Sequence, residues 1–339
     1  MNATITPIDD VGQRRELRQQ ALCDAAMRQE YYLSHPVVTD SLRLATQAVK
    51  EVFEIVQHLI IHRFPGSPFV GAFRMGKTQT IEILCEELRR IFPKLAIGIL
   101  IAKKHDKPTE KAFWGDALDD YEHGASLYGS AAERRRRFMS MIVAAVRSVS
   151  GDHYVFFIDE GQCWTLLEWV LMRDLTNDLK KRGIRTTTIV FAHEEIHVLR
   201  DMLMSTGRTD LLGRFFLTPH VFRGLRDGKE LHAMMQSLDD PSKHEHPPGS
   251  GICMSEFFLP TAYCAGWRLA EEAPLLWAAF ERVAARQGRS AGDIGMQWVM
   301  SSIRAWLFLV AQHDSAGFAP NPELWTNAVD ASAYQGSLQ

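Results

Sequence analysis

Short apolar runs and longer amphipathic segments alternate between residues 40 and 225. The four consecutive apolar residues at 155–158 indicate a strand that is buried on both faces. Between such runs, apolar residues recur at helical spacing, as at Ile81, Leu84 and Leu88. Strands that alternate with helices predict an α/β fold with a central parallel sheet. The predicted strands are 68–70, 95–102, 154–158, 185–192 and 215–221, and the predicted helices are 40–61, 79–91, 110–121, 131–149 and 166–181.

The pattern changes near residue 225. A loop with several proline and glycine turn signals, at 239–251, precedes a region that is helical in its periodicity as far as residue 311. Residues 13–31 also have helical spacing, but they are mostly polar and predict a peripheral helix or arm. The predicted C-terminal helices are 257–267, 275–287 and 292–311. The predicted parts are a peripheral segment (1–32), an α/β domain (33–235) and a smaller C-terminal helical lid with a loop-like tail (236–339).

Composition narrows the class of protein. Of the 339 residues, 46% are hydrophobic and 23% are charged, as in ordinary globular proteins. The formal net charge is -3, so any binding of nucleic acid has to come from a local basic surface. Five scattered cysteines without a C-x-x-C pair argue against a disulfide framework or a zinc site. Because the N-terminus lacks a signal-peptide pattern and no apolar run is long enough to span a bilayer, we predict a cytoplasmic protein without a membrane partner.

Residues 71–78, with the sequence GAFRMGKT, match the phosphate-binding pattern G-x-x-x-x-G-K-[ST] at every fixed position. The glycines let backbone N–H groups point at phosphate oxygens, and the helix that follows adds its positive N-terminal dipole. Lys77 supplies a cation for the outer phosphates, and the Thr78 hydroxyl is a hard oxygen ligand for Mg²⁺. We therefore predict that ATP and Mg²⁺ bind here. The candidate nucleotide-binding residues of this segment are Gly71, Arg74, Gly76, Lys77, Thr78 and Gln79.

A carboxylate pair follows the apolar strand at 154–158. Asp159 and Glu160 come at its carboxyl end, which is where open α/β sheets bind ligands. We predict that Asp159, together with Thr78, holds Mg²⁺, and that Glu160 polarises the water that attacks the γ-phosphate. Two surface acids after a core strand would give the same pattern. The phosphate-binding loop upstream favours the catalytic interpretation.

The strand predicted at 185–192 is rich in β-branched residues and ends at His193. A polar residue at the end of a neighbouring strand would face the γ-phosphate, which makes His193 a candidate catalytic residue. A loop histidine without a catalytic role remains the alternative. His244 and His246 lie close together in the 239–251 loop, but two histidines without a third ligand are weak support for a metal site.

These features come in the order found in AAA+ ATPases, and within that superfamily the chain resembles the transposon regulators of the TnsC/TniB type. The resemblance covers residues 33–225 and is weak outside them. It is carried by residues 71–78, the strand end IDEGQ (158–162), His193, the sequence LGRF (212–215), the His35-Pro36 pair, the basic loop 103–107 and the glycine-bearing sequence AGDIG (291–295).

The resemblance implies an AAA+ P-loop NTPase whose ATP-bound copies assemble as a ring or helical filament around double-stranded DNA. That homo-oligomer would accept a TniQ-type targeting protein and recruit the transposase. It would use Arg214 against the γ-phosphate held by a neighbouring copy, with Arg208 as the alternative. In the lid, Met296 and Gln297 stand where many AAA+ proteins have a nucleotide-sensing arginine, so hydrolysis is expected to be slow or to use another arginine such as Arg268. The resemblance also adds His35 and Pro36 to the nucleotide-binding candidates.

The DNA contacts are predicted in the basic loop after the second strand, at Lys103, Lys104, Lys107 and Thr109. The alternative location is the arginine run 134–137, which is also compatible with a solvated helix face. Two other classes of protein stay open. One is a signalling or defence P-loop NTPase that oligomerises without DNA, and the other is a P-loop kinase that acts on a small metabolite.

Overall fold

The computed structural model describes residues 10–338, so the first nine residues of the predicted peripheral segment lie outside the described part. The chain divides into two compact units. The α/β unit is Gln47–Arg223, and the helical unit combines Met1–Thr46 with Gly224–Gln339. In chain order the helices are α1 (Asp10–Cys23), α2 (Ala25–Ser34), α3 (Gln47–Ile61), α4 (Lys77–Ile91), α5 (Glu110–Asp119), α6 (Ala131–Ser148), α7 (Leu166–Lys181), α8 (Ile196–Ser205), α9 (Thr209–Phe215), α10 (Gly228–Leu238), α11 (Met254–Phe258), α12 (Pro260–Cys264), α13 (Ala273–Ala285), α14 (Met296–Val310) and α15 (Pro322–Ala331).

The strands of residues 10–338 are β1 (Gly66–Val70), β2 (Leu95–Ile101), β3 (His153–Asp159), β4 (Arg185–Ala192) and β5 (His220–Val221). They form one parallel sheet in the α/β unit, in the order β2-β3-β4-β1-β5. Helices connect its strands, so the predicted α/β fold with a central parallel sheet is confirmed.

Strand β3 is buried on both faces because successive side chains point to opposite sides of the sheet. Phe156 and Ile158 belong to one apolar core, which includes Trp169 of α7. Val155 and Phe157 belong to the other core, which includes residues of α3 and α4. Helices therefore cover both faces of the sheet, and its two ends are left for loops.

Three predicted elements differ from the structure. The helix predicted at 40–61 begins at Gln47, because residues 41–46 alternate between exposed and buried positions as an extended segment does. The strand predicted at 215–221 is the end of α9 followed by the two-residue β5. The sequence patterns also missed α8, α10 and α15, and the helix predicted at 257–267 is divided into α11 and α12 where Pro260 starts a new helix.

The helical unit is built around an aromatic and aliphatic core. Trp306 and Trp325 stack with their ring centroids 4.3 Å apart. Val37 and Leu44 are buried in this same core, and Arg18 of α1 pairs with the buried Glu256. Residues 10–46 therefore form part of the helical unit, whereas the sequence pattern separated 1–32 and joined 33–46 to the α/β domain. Likewise, α10 belongs to the helical unit because its apolar face lies in that core.

Across residues 10–338, the structure contains no helix with the length and apolar character required to cross a membrane.

Candidate active site

The register of the parallel strands brings the predicted site residues to one edge of the sheet. Val70 is level with Ala192, and Ile158 is level with Val190. The loop after β1, His193 after β4, and Asp159 with Glu160 at the end of β3 therefore lie at the carboxyl edge of the same sheet. This is the edge at which α/β sheets bind ligands.

The loop at 71–76 joins β1 to α4 and depends on its glycines. A Cβ on Gly71 would lie 2.2 Å from the Phe222 carbonyl oxygen, and Gly76 has a left-handed backbone with φ 98°. The Lys77 ammonium donates to the carbonyl oxygens of Gly71 (2.9 Å) and Ala72 (2.7 Å), so the side chain spans the loop. Burial lowers the pKa of Lys77, while the nearby Glu160 and Asp159 act in the opposite direction. The loop is thus already curved around a cation.

Thr78 and Asp159, the two predicted Mg²⁺ ligands, are in direct contact. The Thr78 hydroxyl donates to Asp159 Oδ2 at 2.5 Å, and the Glu160 N–H donates to Asp159 Oδ1 at 2.9 Å. Burial raises the pKa of Asp159, and the hydrogen bond from Thr78 opposes that shift. A hydroxyl and a carboxylate fit Mg²⁺, which takes few protein ligands and keeps several waters beside a nucleotide. Among residues 10–338 there is no group of three or more His, Cys, Asp or Glu side chains that could hold a metal on its own, and this includes the 239–251 histidines.

Glu160 is linked to the end of β4 through Gln162. The backbone of Glu160 is left-handed, with φ 54°, which costs a side-chain-bearing residue about 1–3 kcal/mol and is found at functional sites. Gln162 Nε2 donates to Glu160 Oε2 at 2.5 Å, and Gln162 Oε1 accepts from the His193 N–H at 2.8 Å. Gln162 was not among the predicted site residues. Its signal in the sequence was its place at the end of IDEGQ (158–162), two residues after Glu160.

The His193 ring is stacked against Phe73 of the phosphate-binding loop. Their centroids are 4.0 Å apart with an interplanar angle of 21°. Phe73 is 58% exposed although it is apolar, and His193 Nδ1 is buried without a hydrogen-bond partner in the described structure. His193 therefore lies beside the loop where a terminal phosphate would be held. Arg74 and Gln79, also predicted as nucleotide-binding, are exposed in the loop and on the first turn of α4.

Arg214 lies at the opposite, amino edge of the sheet. It is on the last turn of α9, and a Cβ on Gly66, the first residue of β1, would lie 2.9 Å from its carbonyl oxygen. Arg214 Nη1 donates to Thr176 Oγ1 at 2.6 Å, and burial lowers the pKa of the guanidinium. Arg208, the alternative arginine, is paired with Asp210 at 3.0 Å.

Arg214 lines a cavity of about 530 Å³. Three other basic side chains line it, together with Asp210. Lys180 and Arg185 are exposed there and form no ion pair within residues 10–338, whereas Arg63 is paired with Asp152 at 2.8 Å. Arg214 therefore belongs to a cationic depression, which we call the amino-edge pocket.

Two of the four predicted DNA-binding residues make contacts within the protein, and the other two are exposed. Lys103 lies 3.5–3.7 Å from three carboxylates on α5 and just after it, those of Asp116, Asp119 and Asp120. Thr109 is the N-cap of α5 and accepts from the Ala112 N–H at 3.1 Å. These two residues anchor the loop, which is a structural role that the sequence pattern did not reveal. Lys104 and Lys107 are exposed and make no ion pair within residues 10–338.

The arginine run at 134–137 is largely structural. Arg134 is buried and donates to the carbonyl oxygens of Lys111 and Leu127, while Arg135 pairs with Asp178 at 2.7 Å. Arg137 donates to two carbonyl oxygens of the loop before α6. Only Arg136 of this run is exposed without such a contact among the described residues, so the run is a poor alternative to Lys104 and Lys107.

His35 is part of the core of the helical unit. Its ring is fully buried between His246, Phe257 and Phe258, and its Nδ1 accepts from the Val37 N–H at 3.1 Å. Burial, followed by the effect of His246, lowers the pKa of His35 to about 3. The ring is thus enclosed by side chains of the helical unit, and its contact with a nucleotide stays a prediction. Pro36 lies in the turn just after it. The Arg268 guanidinium also makes contacts within the helical unit, because it donates to the Tyr263 and Trp267 carbonyl oxygens.

Comparison with solved structures identifies proteins that have a similar fold. No protein-family model and no curated protein matches the sequence. The structure is similar to the ORC2 protein of Aeropyrum pernix, solved with ADPNP and ADP, at a TM-score of 0.55 and 10% identity over 86% of this chain and 68% of that one. It is also similar to the A. pernix ORC1 protein in complex with DNA, at a TM-score of 0.50 and 11% identity over 86% and 67%. The chain therefore shares the fold of these two proteins, an α/β fold with a central parallel sheet.

Proposed function

We propose that this protein is an AAA+ ATPase that oligomerises with ATP on duplex DNA and regulates transposition. In this role it recruits the transposase and links it to a TniQ-type targeting protein. The observation that carries the proposal is the meeting of Lys77, Thr78, Asp159 and Glu160 at one edge of the sheet, with Arg214 at the other. The AAA+ fold and the resemblance of residues 33–225 to the TnsC/TniB type support it.

ATP is the substrate in this proposal. The N–H groups of the 71–76 loop and the Lys77 ammonium would bind its phosphates, since both lie at the N-terminus of α4. Glu160 would accept a proton from the attacking water, and the His193 ring beside the loop would contact the γ-phosphate. Thr78 and Asp159 would hold Mg²⁺, which neutralises charge on the phosphate oxygens when it is bound. All of these contacts are to the phosphates, so the chemistry does not depend on contacts to the adenine base or the ribose of ATP.

Arg214 supports an oligomer because it cannot serve the nucleotide of its own copy. Strand β4 runs from Arg185, at the amino-edge pocket, to Ala192, beside His193. Its eight residues span about 23 Å at about 3.3 Å per step, far more than the reach of an arginine side chain. A head-to-tail interface would bring the Arg214 of one copy to the nucleotide of the next, and such an interface gives a ring or a helical filament.

A mixing experiment tests this arrangement. Arg214→Ala and Glu160→Gln chains should each be nearly inactive alone, because one lacks the trans cation and the other lacks the base. An equimolar mixture should recover about a quarter of the parent ATPase rate, since about one interface in four pairs an intact Glu160 with an intact Arg214. The measurement is phosphate release at fixed total protein.

Arg208→Ala is the matched control, because it removes a neighbouring arginine that is already paired with Asp210. Its rate should stay close to that of the parent. Mixed oligomers that form normally and remain inactive would contradict catalysis in trans by Arg214. If Arg208→Ala is instead inactive alone and regains activity when it is mixed with Glu160→Gln, the trans role belongs to Arg208.

Lys104 and Lys107 are the described lysines of the loop that remain available for DNA. The loop follows the carboxyl end of β2, and assembly would repeat it in every copy. Contacts from lysine to phosphate release counterions and read no base sequence, so affinity should fall steeply with salt. The A. pernix ORC1 protein, which has the same fold, was solved in complex with DNA and supports this choice of ligand.

The corresponding prediction concerns duplex DNA binding in the presence of ATP. Lys104→Ala with Lys107→Ala should weaken binding and reduce the slope of log affinity against log salt by about 1.8 per bound copy, at about 0.9 for each phosphate that a lysine no longer neutralises. The measurement is fluorescence anisotropy over a range of salt. Lys50→Ala with Lys94→Ala is the control, since both lysines are exposed in the same unit outside the loop. An unchanged slope would place the DNA contacts elsewhere, and a parent that never binds DNA with ATP would favour a signalling NTPase.

A further inference from the structure

Gln162 makes a two-sided bridge at the carboxyl edge. Its Nε2 donates to Glu160 Oε2 at 2.5 Å, and its Oε1 accepts from the His193 N–H at 2.8 Å. The chemistry of the partners fixes this orientation of the amide, because a carboxylate only accepts and a backbone N–H only donates. The bridge therefore joins the end of β3 to the end of β4 in one defined geometry.

The bridge continues into the phosphate-binding loop. The residue that donates to Gln162 is His193, and the ring of His193 is stacked on Phe73 at 4.0 Å. The Lys77 ammonium nitrogen is in turn 5.9 Å from the centroid of the Phe73 ring. A chain of contacts thus runs from the Glu160 carboxylate to the loop that would hold the phosphates.

Glu160 needs such a restraint. The terminal torsion of a glutamate is broad, so the two carboxylate oxygens are not placed by the rotamer alone. With one oxygen held by Gln162, the other is left with a defined direction for a water molecule. The left-handed backbone of Glu160 sets the start of the side chain, and the amide sets its end.

We propose that Gln162 is a positioning residue that orients the Glu160 carboxylate for activation of water and ties that orientation to the phosphate-binding loop. The inference rests on the proposed ATPase function and identifies how its base is held. Gln162 acts through Glu160 and His193, without contact to the nucleotide. Removing the bridge should therefore change turnover more than substrate binding.

Gln162→Leu tests this directly, since leucine fills a similar volume and forms neither hydrogen bond. We expect kcat for ATP to fall by about 10-fold to 100-fold with KM within about twofold, because a misplacement of about 1 Å can cost about 100-fold in rate. In a Glu160→Gln background the same change should have no further effect, since the group being positioned is already gone. Gln57→Leu on α3 repeats the chemical change elsewhere in the α/β unit and should leave kcat unaltered.

Gln162→Glu is the second variant and guards against a folding defect. It keeps an acceptor for the His193 N–H but places a second carboxylate beside Glu160. This carboxylate cannot donate to Glu160 Oε2, so kcat should fall as it does in Gln162→Leu while KM stays within about twofold. A residue with only a structural role would instead lower the amount of folded protein and leave kcat per folded molecule unchanged.

The outcomes separate the inference from the function on which it rests. If the parent hydrolyses ATP and Gln162→Leu does so at the parent rate, Gln162 does not position Glu160. The same conclusion follows if the losses from Gln162→Leu and Glu160→Gln simply add. A parent that does not turn over ATP would overturn the proposed ATPase, and this inference with it. A fall in kcat that disappears in the Glu160→Gln background supports the inference.

Discussion

Glu160→Gln is expected to bind ATP like the parent and to turn it over about 100-fold to 10,000-fold more slowly, the range typical of losing a general base. The substitution keeps the size of the side chain and removes its ability to accept a proton. The local structure should survive, because the amide oxygen of the new side chain can still accept from Gln162 Nε2. The measurement is single-turnover hydrolysis together with the affinity for a fluorescent ATP analogue.

Glu160→Gln supports the role of Glu160 as a base only if its ATP affinity is unchanged while its rate of hydrolysis falls. Unchanged turnover would move the catalytic role to another group at the carboxyl edge. A parallel loss of affinity would mean that Glu160 holds the nucleotide and does not activate water. ATP-bound assemblies of this variant should also persist longer than those of the parent, which sedimentation or light scattering would detect.

Lys77→Ala is expected to lose ATP binding by about 100-fold or more in Kd. Hydrogen bonds to charged groups contribute about 1.5–3 kcal/mol each, and every 1.4 kcal/mol is tenfold in affinity. The ammonium also bridges the Gly71 and Ala72 carbonyl oxygens, so its loss loosens the loop in addition to removing the charge. Isothermal titration with ATP and Mg²⁺ measures the effect.

Lys94→Ala is a suitable control, because Lys94 is an exposed lysine just before β2, at the edge of the sheet away from the loop. It should bind ATP with the affinity of the parent. Thermal melting without nucleotide should show that Lys77→Ala is folded. If folded Lys77→Ala binds ATP as tightly as the parent does, residues 71–78 are not a nucleotide-binding loop.

The sequence predicted the carboxyl edge well because its signals are local. The spacing of Gly71, Gly76 and Lys77 determines a loop, and an apolar run before Asp159 determines a buried strand that ends there. In a parallel sheet, the ends of such strands meet without further information. The contact between Thr78 and Asp159 follows from this topology.

The remaining assignments depended on partners that are distant in sequence. The positive charge of Lys103 suggested a ligand contact, but its acids come from α5 and the turn after it, more than ten residues away. His35 resembled a family feature, yet its surroundings are Phe257 and Phe258, which only the folded helical unit brings to it. Contacts of this kind cannot be predicted from a local sequence pattern, because tertiary packing determines them.

The helical unit takes residues from both ends of the chain, and the α/β unit is inserted between them. Synthesis on the ribosome proceeds from the N-terminus, so the α/β unit is complete before residues 224–339 exist. Domains generally fold as they emerge, whereas Val37 and Leu44 must wait for core partners such as Ile303. A nascent chain halted before α14 would therefore carry a folded α/β unit beside an unshielded apolar segment, the kind of species that chaperones bind.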